Sequence, residues 1–287
     1  MKRAVYKSRF LSVVVFALLA GAWPMAAQAA TAPPLGAAVS FAVLAASTVT
    51  CTGPSNIVGD VGVSPGSAIT GFPPCKVTGT FHSADAVSLQ AQADALAAYN
   101  NLAGQACNFN LTGQDLGGMT LVPGVYCFNS SAELTGTLNL SGGGIYIFQI
   151  GSTLTTASGS SVLINNAQPC DAASDVFWQV GSSATLGTTT AFAGNIIALA
   201  SITMTTGATL DGRAIALTAA VTMDTNTIST CGQTGRGGNG RTHCNQGVGN
   251  GPEGCDPGNS NQGNPNRSND ELGGTPGNPG RKGGNGK

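Results

Sequence analysis

Thr153-Leu-Thr-Thr156, Thr185-Leu-Gly-Thr188, Thr203-Met-Thr-Thr206 and Thr222-Met-Asp-Thr225 are four versions of one short pattern: threonine, leucine or methionine, any residue, threonine. The last three begin 18 and 19 residues apart. Self-similarity at that period marks a β-solenoid, in which each coil buries its apolar side only by stacking on the next. Side chains alternate along a strand. Leu154, Leu186, Met204 and Met223 are therefore expected inside, and Thr153, Thr185, Thr203 and Thr222 outside in one column. The runs Ile145–Ile150, Val176–Val180 and Ile196–Leu199 are further strand signals, separated by glycine turns.

Upstream of these repeats the pattern changes. Ala84 to Ala103 is rich in Ala, Gln and Leu and has neither Gly nor Pro. Ser83 offers an N-cap, Asp85 an acid in the first turn, and Gly104 a stop. Val87, Ala91, Ala95, Ala98 and Leu102 recur at helical spacing, with Leu89, Ala93 and Leu96 beside them. Such a helix spans ~30 Å, and its alanines let it lie close against a sheet. The expected fold is mainly β: a β-solenoid with one long α-helix packed alongside.

The two ends differ from this domain. Lys2, Arg3, Lys7 and Arg9 precede the apolar run Phe10–Ala22, and Ala27-Gln28-Ala29 fits a cleavage site. Residues 1–29 read as a secretory signal peptide. The expected location is extracellular, with the periplasm or the cell surface as alternatives to free release, and no transmembrane anchor follows. Residues 30–231 hold nearly all the large apolar side chains. Residues 232–287 are dominated by Gly, Asn, Pro, Ser and Arg, which cannot bury enough apolar surface to offset chain entropy. That stretch reads as a disordered tail, either a spacer or a weak contact with cell-surface polymers.

Charge is scarce, at 9% of the chain with a net charge of −1, where a globular domain carries roughly 25%. Between Ala30 and Cys231 the only basic residues are Lys76 and Arg213, against nine acids. This domain is therefore a poor candidate for binding nucleic acid or an anionic membrane, because both need clustered Lys and Arg. Catalysis finds little support. Asp211 and Arg213 are the one suggestive pair, His82 reads as a turn or capping residue, and no nucleophile elbow precedes a helix. Cofactors are not expected. The eight cysteines contain no CxxC pair and no zinc spacing, so they point to disulfides rather than a metal. Sequence order suggests Cys51–Cys75, Cys107–Cys127, Cys170–Cys231 and a local Cys244–Cys255 loop, although spacing does not by itself fix connectivity.

Longer motifs carry a family resemblance. Leu35-Gly-Ala-Ala-Val-Ser-Phe-Ala-Val-Leu-Ala45, Asn56-Ile-Val-Gly-Asp-Val-Gly-Val-Ser-Pro-Gly66 and Thr70-Gly-Phe-Pro-Pro74 open it. Leu121-Val-Pro-Gly-Val-Tyr126, Phe148-Gln-Ile-Gly151, Phe177-Trp-Gln-Val-Gly181 and Phe192-Ala-Gly-Asn195 continue it in order. Over residues 35 to 230 the chain resembles the microbial ice-binding proteins. The resemblance implies a three-faced, discontinuous, right-handed β-solenoid with its helix along one face, and a flat face that meets ice. Some members repeat Thr-Ala/Gly-x-Thr/Asn there. Thr206-Gly-Ala-Thr209 fits in full, Thr156-Ala-Ser-Gly159 in its first half only, and Thr188-Thr-Thr-Ala191 and Thr225-Asn-Thr-Ile228 depart from it.

Ice adsorption is the function expected first, for a monomer whose partner is the ice surface. The candidate residues are Thr153, Thr155, Thr156, Thr185, Thr188, Thr203, Thr205, Thr206, Thr209, Thr222 and Thr225. The alternative is a structural or adhesive surface protein, in which outward threonines are simply β-branched residues suited to strands. Contiguous threonine columns favour the first. Columns broken by Asp224, Gly187 or loops favour the second.

Overall fold

The computed structural model describes residues 29–165 and 175–230. A 3₁₀ segment (Gly36–Ser40) leads into a coil formed by β1 (Phe41–Ala45), β2 (Thr48–Thr52) and β3 (Asn56–Val58). A second coil follows with β4 (Asp60–Val63), β5 (Ala68–Thr70) and β6 (Lys76–Thr78), and then β7 (Phe81–Ser83). Helix α1 (Ala86–Ala103) comes next, then β8 (Phe109–Asn110) and β9 (Thr120–Leu121). Three strands per coil continue through β10 (Gly124–Phe128), β11 (Ala132–Leu134), β12 (Thr137–Ser141), β13 (Tyr146–Ile150), β14 (Leu154–Thr156) and β15 (Ser161–Asn165). The last coils use β16 (Val176–Val180), β17 (Ala184–Leu186), β18 (Ala191–Ala198), β19 (Ile202–Met204), β20 (Thr209–Ala216), β21 (Val221–Asp224) and β22 (Thr227–Ser229).

All these strands pair in parallel and make three faces. One face stacks β8, β10, β13, β16, β18, β20, β1, β4 and β7. A second stacks β11, β14, β17, β19, β21, β2 and β5. The third stacks β9, β12, β15, β18, β20, β22, β3 and β6. The long strands β18 and β20 turn a corner and serve two faces each. Coils are not stacked in chain order. The first coil lies against the last, with Val43 opposite Ala214, Thr50 opposite Thr222 and Ile57 opposite Ile228. Helix α1 connects the coil that ends in β7 to β8, at the opposite end of the stack. This is a discontinuous β-solenoid with a single helix.

The interior follows the expected alternation. Leu154, Leu186, Met204 and Met223 are all buried. A column of rings runs from exposed Phe109 at the end of the stack into the core: Phe109, Tyr126, Phe148 and Trp178 stack in succession, with Phe148 and Trp178 centroids 3.9 Å apart and 9° from parallel. The Trp178 indole N–H donates to the Ala193 carbonyl at 3.0 Å, so the buried ring carries no orphan donor.

The helix begins two residues later than its sequence signals. Its N-cap is Asp85, not Ser83, and Ala84 has φ +50°. The Asp85 carboxylate accepts from the Ser88 N–H at 2.8 Å, and the Ser88 hydroxyl accepts from the Asp85 N–H. His82 Nδ1 lies 2.7 Å from the same carboxylate, so His82 does steady the cap. Ser88, Ala91, Ala95, Ala98 and Leu102 face the sheet, whereas Val87, Leu89 and Leu96 are exposed. The sheet already presents Phe41, Leu44, Ile147, Phe177, Ile197 and Ile215. A layer that bulky leaves room only for small helix residues. Gln149 seals the far end by donating to the Leu102 and Gln105 carbonyls at 2.7 and 2.8 Å.

Disulfides join Cys51 to Cys75 and Cys107 to Cys127, as sequence order suggested. Cys170, Cys231, Cys244 and Cys255, and with them residues 1–28 and 231–287, lie outside the described residues. Among those described, no helix is long and apolar enough to cross a membrane.

Candidate functional site

The face bearing β11, β14, β17, β19, β21, β2 and β5 is built from three- to five-residue strands whose central side chain points outward. Pairing aligns Glu133, Thr155, Thr185, Thr203, Thr222, Thr50 and Thr70 across all seven strands. No register shift interrupts them. Six consecutive rungs therefore carry threonine, ~4.8 Å apart. Their inward neighbours are apolar: Leu154, Ala184, Ile202, Val221 and Val49 are buried on one side. This alternation fixes the threonines outward, since a slip of one residue would bury the hydroxyls and expose the core.

Hydroxyls continue on either side of this ladder. In the row before it, Thr153 donates to Ser131 Oγ at 2.8 Å, and Ser183 and Ser201 share a hydrogen bond of 3.0 Å. In the row after it lie Thr52, Asp224, Thr205 and Gly187. The Thr205 hydroxyl donates to the Leu186 carbonyl at 2.8 Å, and that of Thr52 to the Met223 carbonyl at 3.1 Å. Hydroxyls tied down to the backbone leave their methyls facing solvent.

Charge is confined to the edges of this surface. Glu133 ends the ladder. Asp224 stands one row over, where its carboxylate accepts from the Thr206 hydroxyl and from that of Thr225 at 3.0 Å. These bonds, the Thr206 bond foremost, hold its pKa below the usual carboxylate range. Gly187 and Asp224 thus lie beside the threonine column and do not break it.

The eleven candidate threonines fall into five groups. Thr155, Thr185, Thr203 and Thr222 stand in the ladder. Thr153 and Thr205 occupy the rows beside it; the ladder position expected for Thr153 belongs to Thr155, because Leu154 pairs with Ala184 and not with Leu186. Thr188, Thr206 and Thr225 are exposed on the corner toward the third face. Thr209 is on the third face, aligned with Ala191 and Thr227. Thr156 points inward and is 3% exposed; it shares a 2.8 Å hydrogen bond with buried Thr190 and accepts from the Gly187 N–H at 2.8 Å. The residues sequence reading missed are Thr50 and Thr70, which join the ladder only because the first coils stack beneath the last.

The third face is less regular. Its aligned row reads Thr137, Ser161, Ala191, Thr209, Thr227, Asn56 and Lys76. The next row carries exposed Leu163 and Val58 and half-buried Asp211, whose pKa burial raises. Arg213 is no partner for Asp211. Its guanidinium is 1% exposed and donates to the Val39 carbonyl and, at 2.8 Å, to Asn195 Oδ1, and burial lowers its pKa to about 10. It pins the 3₁₀ segment to the coil beneath. Among the described residues no three His, Cys, Asp or Glu side chains come together as a metal-ligand set.

Known proteins share this architecture. A family model described as ice-binding-like matches residues 43–229. An ice-binding protein from Nostoc sp. (strain HG1) is 57% identical over 208 residues, 71% of this chain and 76% of that protein. The crystal structure of an ice-binding protein from the Antarctic ascomycete Antarctomyces psychrotrophicus superposes with a TM-score of 0.66 at 42% identity, covering 70% of this chain and 98% of the other. An ice-binding protein from an Antarctic biological consortium gives a TM-score of 0.67 at 45% identity, with 72% and 95% covered.

Proposed function

The chain belongs to the ice-binding-like family, and on that premise we propose that it is an exported protein that adsorbs to ice through its threonine ladder. The observation that carries the choice of face is the unbroken row Thr155, Thr185, Thr203, Thr222, Thr50 and Thr70. Rungs ~4.8 Å apart and same-face positions ~6.8 Å apart along each strand give a two-dimensional grid of methyls and hydroxyls. Such a grid orders first-layer water, with charge kept to Glu133 at its end and to Asp224 at its margin, where Thr206 and Thr225 hold the carboxylate. Each hydrogen bond to water gains little net free energy, so adsorption depends on many contacts made together by a rigid surface. The helix-covered face offers no such grid, and the third face mixes apolar, acidic and amide side chains. Growth of ice between adsorbed molecules is then slowed.

Export is part of the same reading. Two disulfides need an oxidising compartment to persist, and the basic, apolar and small-residue segments of residues 1–29 supply a route. The tail is assigned a spacer role, with weak contact to cell-surface polymer as its other use.

The test is thermal hysteresis of the full-length, disulfide-bonded protein. Thr203→Tyr and Thr222→Tyr, which raise a ring above the grid, are expected to abolish most of the activity while Tm is retained. Thr209→Tyr on the third face is expected to leave it intact. Activity lost only with Thr209→Tyr would move the surface to the third face, and an inactive, well-folded parent would favour a structural or adhesive surface role.

A further inference from the structure

The corner between the threonine face and the third face turns through a left-handed residue in five successive coils. These residues are Gly159 (φ +71°), Thr189 (+56°), Gly207 (+74°), Thr225 (+56°) and Gly53 (+65°). In the first four, the N–H of that residue donates to a carbonyl of the next coil: Gly159 to Thr188, Thr189 to Thr206, Gly207 to Asp224 and Thr225 to Thr52, at 2.8, 3.0, 3.2 and 2.9 Å. The backbone task is therefore the same in each. Glycine performs it without steric cost. A β-branched residue at positive φ is a genuine outlier, and outliers of this kind persist where the side chain has a use.

No internal packing accounts for the two threonines. Both are exposed. The Thr189 hydroxyl donates only to the carbonyl of Thr188, its own neighbour, at 2.7 Å. That of Thr225 donates to the adjacent Asp224. Glycine and threonine alternate up the corner, and Gly53 leaves the room that Thr225 occupies. A Cβ on Gly207 would lie 3.4 Å from Thr189 Cγ2, and one on Gly53 would lie 2.2 Å from Thr225 Oγ1. With exposed Thr188 and Thr206 they form a ridge of hydroxyls and methyls beside the ladder. Asp224, the acid nearest this ridge, is occupied in holding the hydroxyls of Thr206 and Thr225.

We propose that Thr189 and Thr225 contact ice and carry the adsorbing surface over this corner, and that they stand at glycine-favouring turns for that reason. This rests on the reading of the threonine ladder as the adsorbing surface. Ordered water then meets two adjoining strips at an angle.

The experiment compares thermal hysteresis and Tm for the full-length protein, Thr189→Gly, Thr225→Gly, their double variant and Thr203→Tyr. Replacing either threonine with glycine relieves backbone strain, so Tm is expected to hold or rise. Hysteresis of the double variant is expected to fall below about half that of the parent, the trade between stability and activity seen at strained sites. Full hysteresis in the double variant, with Thr203→Tyr inactive, would overturn the corner proposal and leave the ladder standing. A lower Tm in the glycine variants would make the threonines structural and overturn it as well. Hysteresis unchanged in Thr203→Tyr but lost in the double variant would sink the ladder reading instead and leave the corner as the contact.

Discussion

Thr155 and Thr156 are neighbours in sequence and opposites in role. Thr155 points to solvent in the ladder, and Thr156 is buried against Thr190 with its oxygen accepting the Gly187 N–H. Thr156→Val should cost roughly 1–3 kcal/mol, because the half-buried Gly187 N–H loses its acceptor and the buried Thr190 hydroxyl a partner, with ice activity per folded molecule unchanged. Thr155→Val should stay within about 0.5 kcal/mol, as surface changes do. Thermal unfolding followed by the fluorescence of buried Trp178 measures both. Asp85 gives a pH signature. The Ser88 N–H, with His82 second, lowers its pKa from 3.8 to about 2 in the folded protein. Its contribution to stability is fully present above pH 3.8 and is lost as pH falls toward 2. Asp85→Asn keeps a capping oxygen that does not titrate. The Tm of the parent should therefore drop more steeply than that of Asp85→Asn between pH 4 and pH 2.

At the scale of the element, helix α1 is a spacer-thin cover, and its alanines set its distance from the sheet. Ala95 is 0% exposed and Leu89 is 61% exposed. Ala95→Leu should destabilise by about 1–3 kcal/mol through overpacking, whereas Leu89→Lys should change Tm little; calorimetry distinguishes them. Sequence periodicity located this helix and, through Ala91, Ala95, Ala98 and Leu102, its buried face, but not its cap at Asp85 or the place of Ser88 instead of Val87 on that face. Leu89 and Leu96 were the strongest apolar signals near the stripe, yet the bulky sheet beneath selects Ala and Ser. The same division holds for the site. Thr185, Thr203 and Thr222 were legible as a column because they recur at the nearly constant spacing of 18 and 19 residues. The copy at Thr153 was misaligned by two, because the pattern Thr-Leu-Thr-Thr fits two registers and only pairing of Leu154 with Ala184 decides between them. Thr50 and Thr70 sit in Thr-Val-Thr and Ala-Ile-Thr contexts unlike the repeat. No local pattern says that the first coil closes against the last.

For the whole molecule, that closure is the weak point of a discontinuous solenoid, since β1, β2 and β3 must find β20, β21 and β22 across most of the chain. The Cys51–Cys75 disulfide lies in the first two coils and limits how far they open when unfolded. By chain entropy it is worth roughly 3–4 kcal/mol. The Cys51→Ser/Cys75→Ser protein should lose about that much unfolding free energy, read as a lower denaturant midpoint. Its ladder should lose the Thr50 and Thr70 rungs first. A surface that works by many weak contacts depends on this stack remaining rigid, so loss of the first coils should reduce ice activity before the remaining coils melt.

The most direct measurement is ice-affinity partitioning. A dilute solution of the full-length, oxidised protein is frozen slowly onto a cold surface, and the protein taken into the ice is compared with that left in the liquid. The account predicts that the parent enters the ice, while a Thr203→Tyr/Thr222→Tyr variant, with parental Tm and Trp178 fluorescence, stays in the liquid. A folded parent excluded from the ice, or a double variant incorporated as fully as the parent, would contradict the claim that the threonine ladder binds ice.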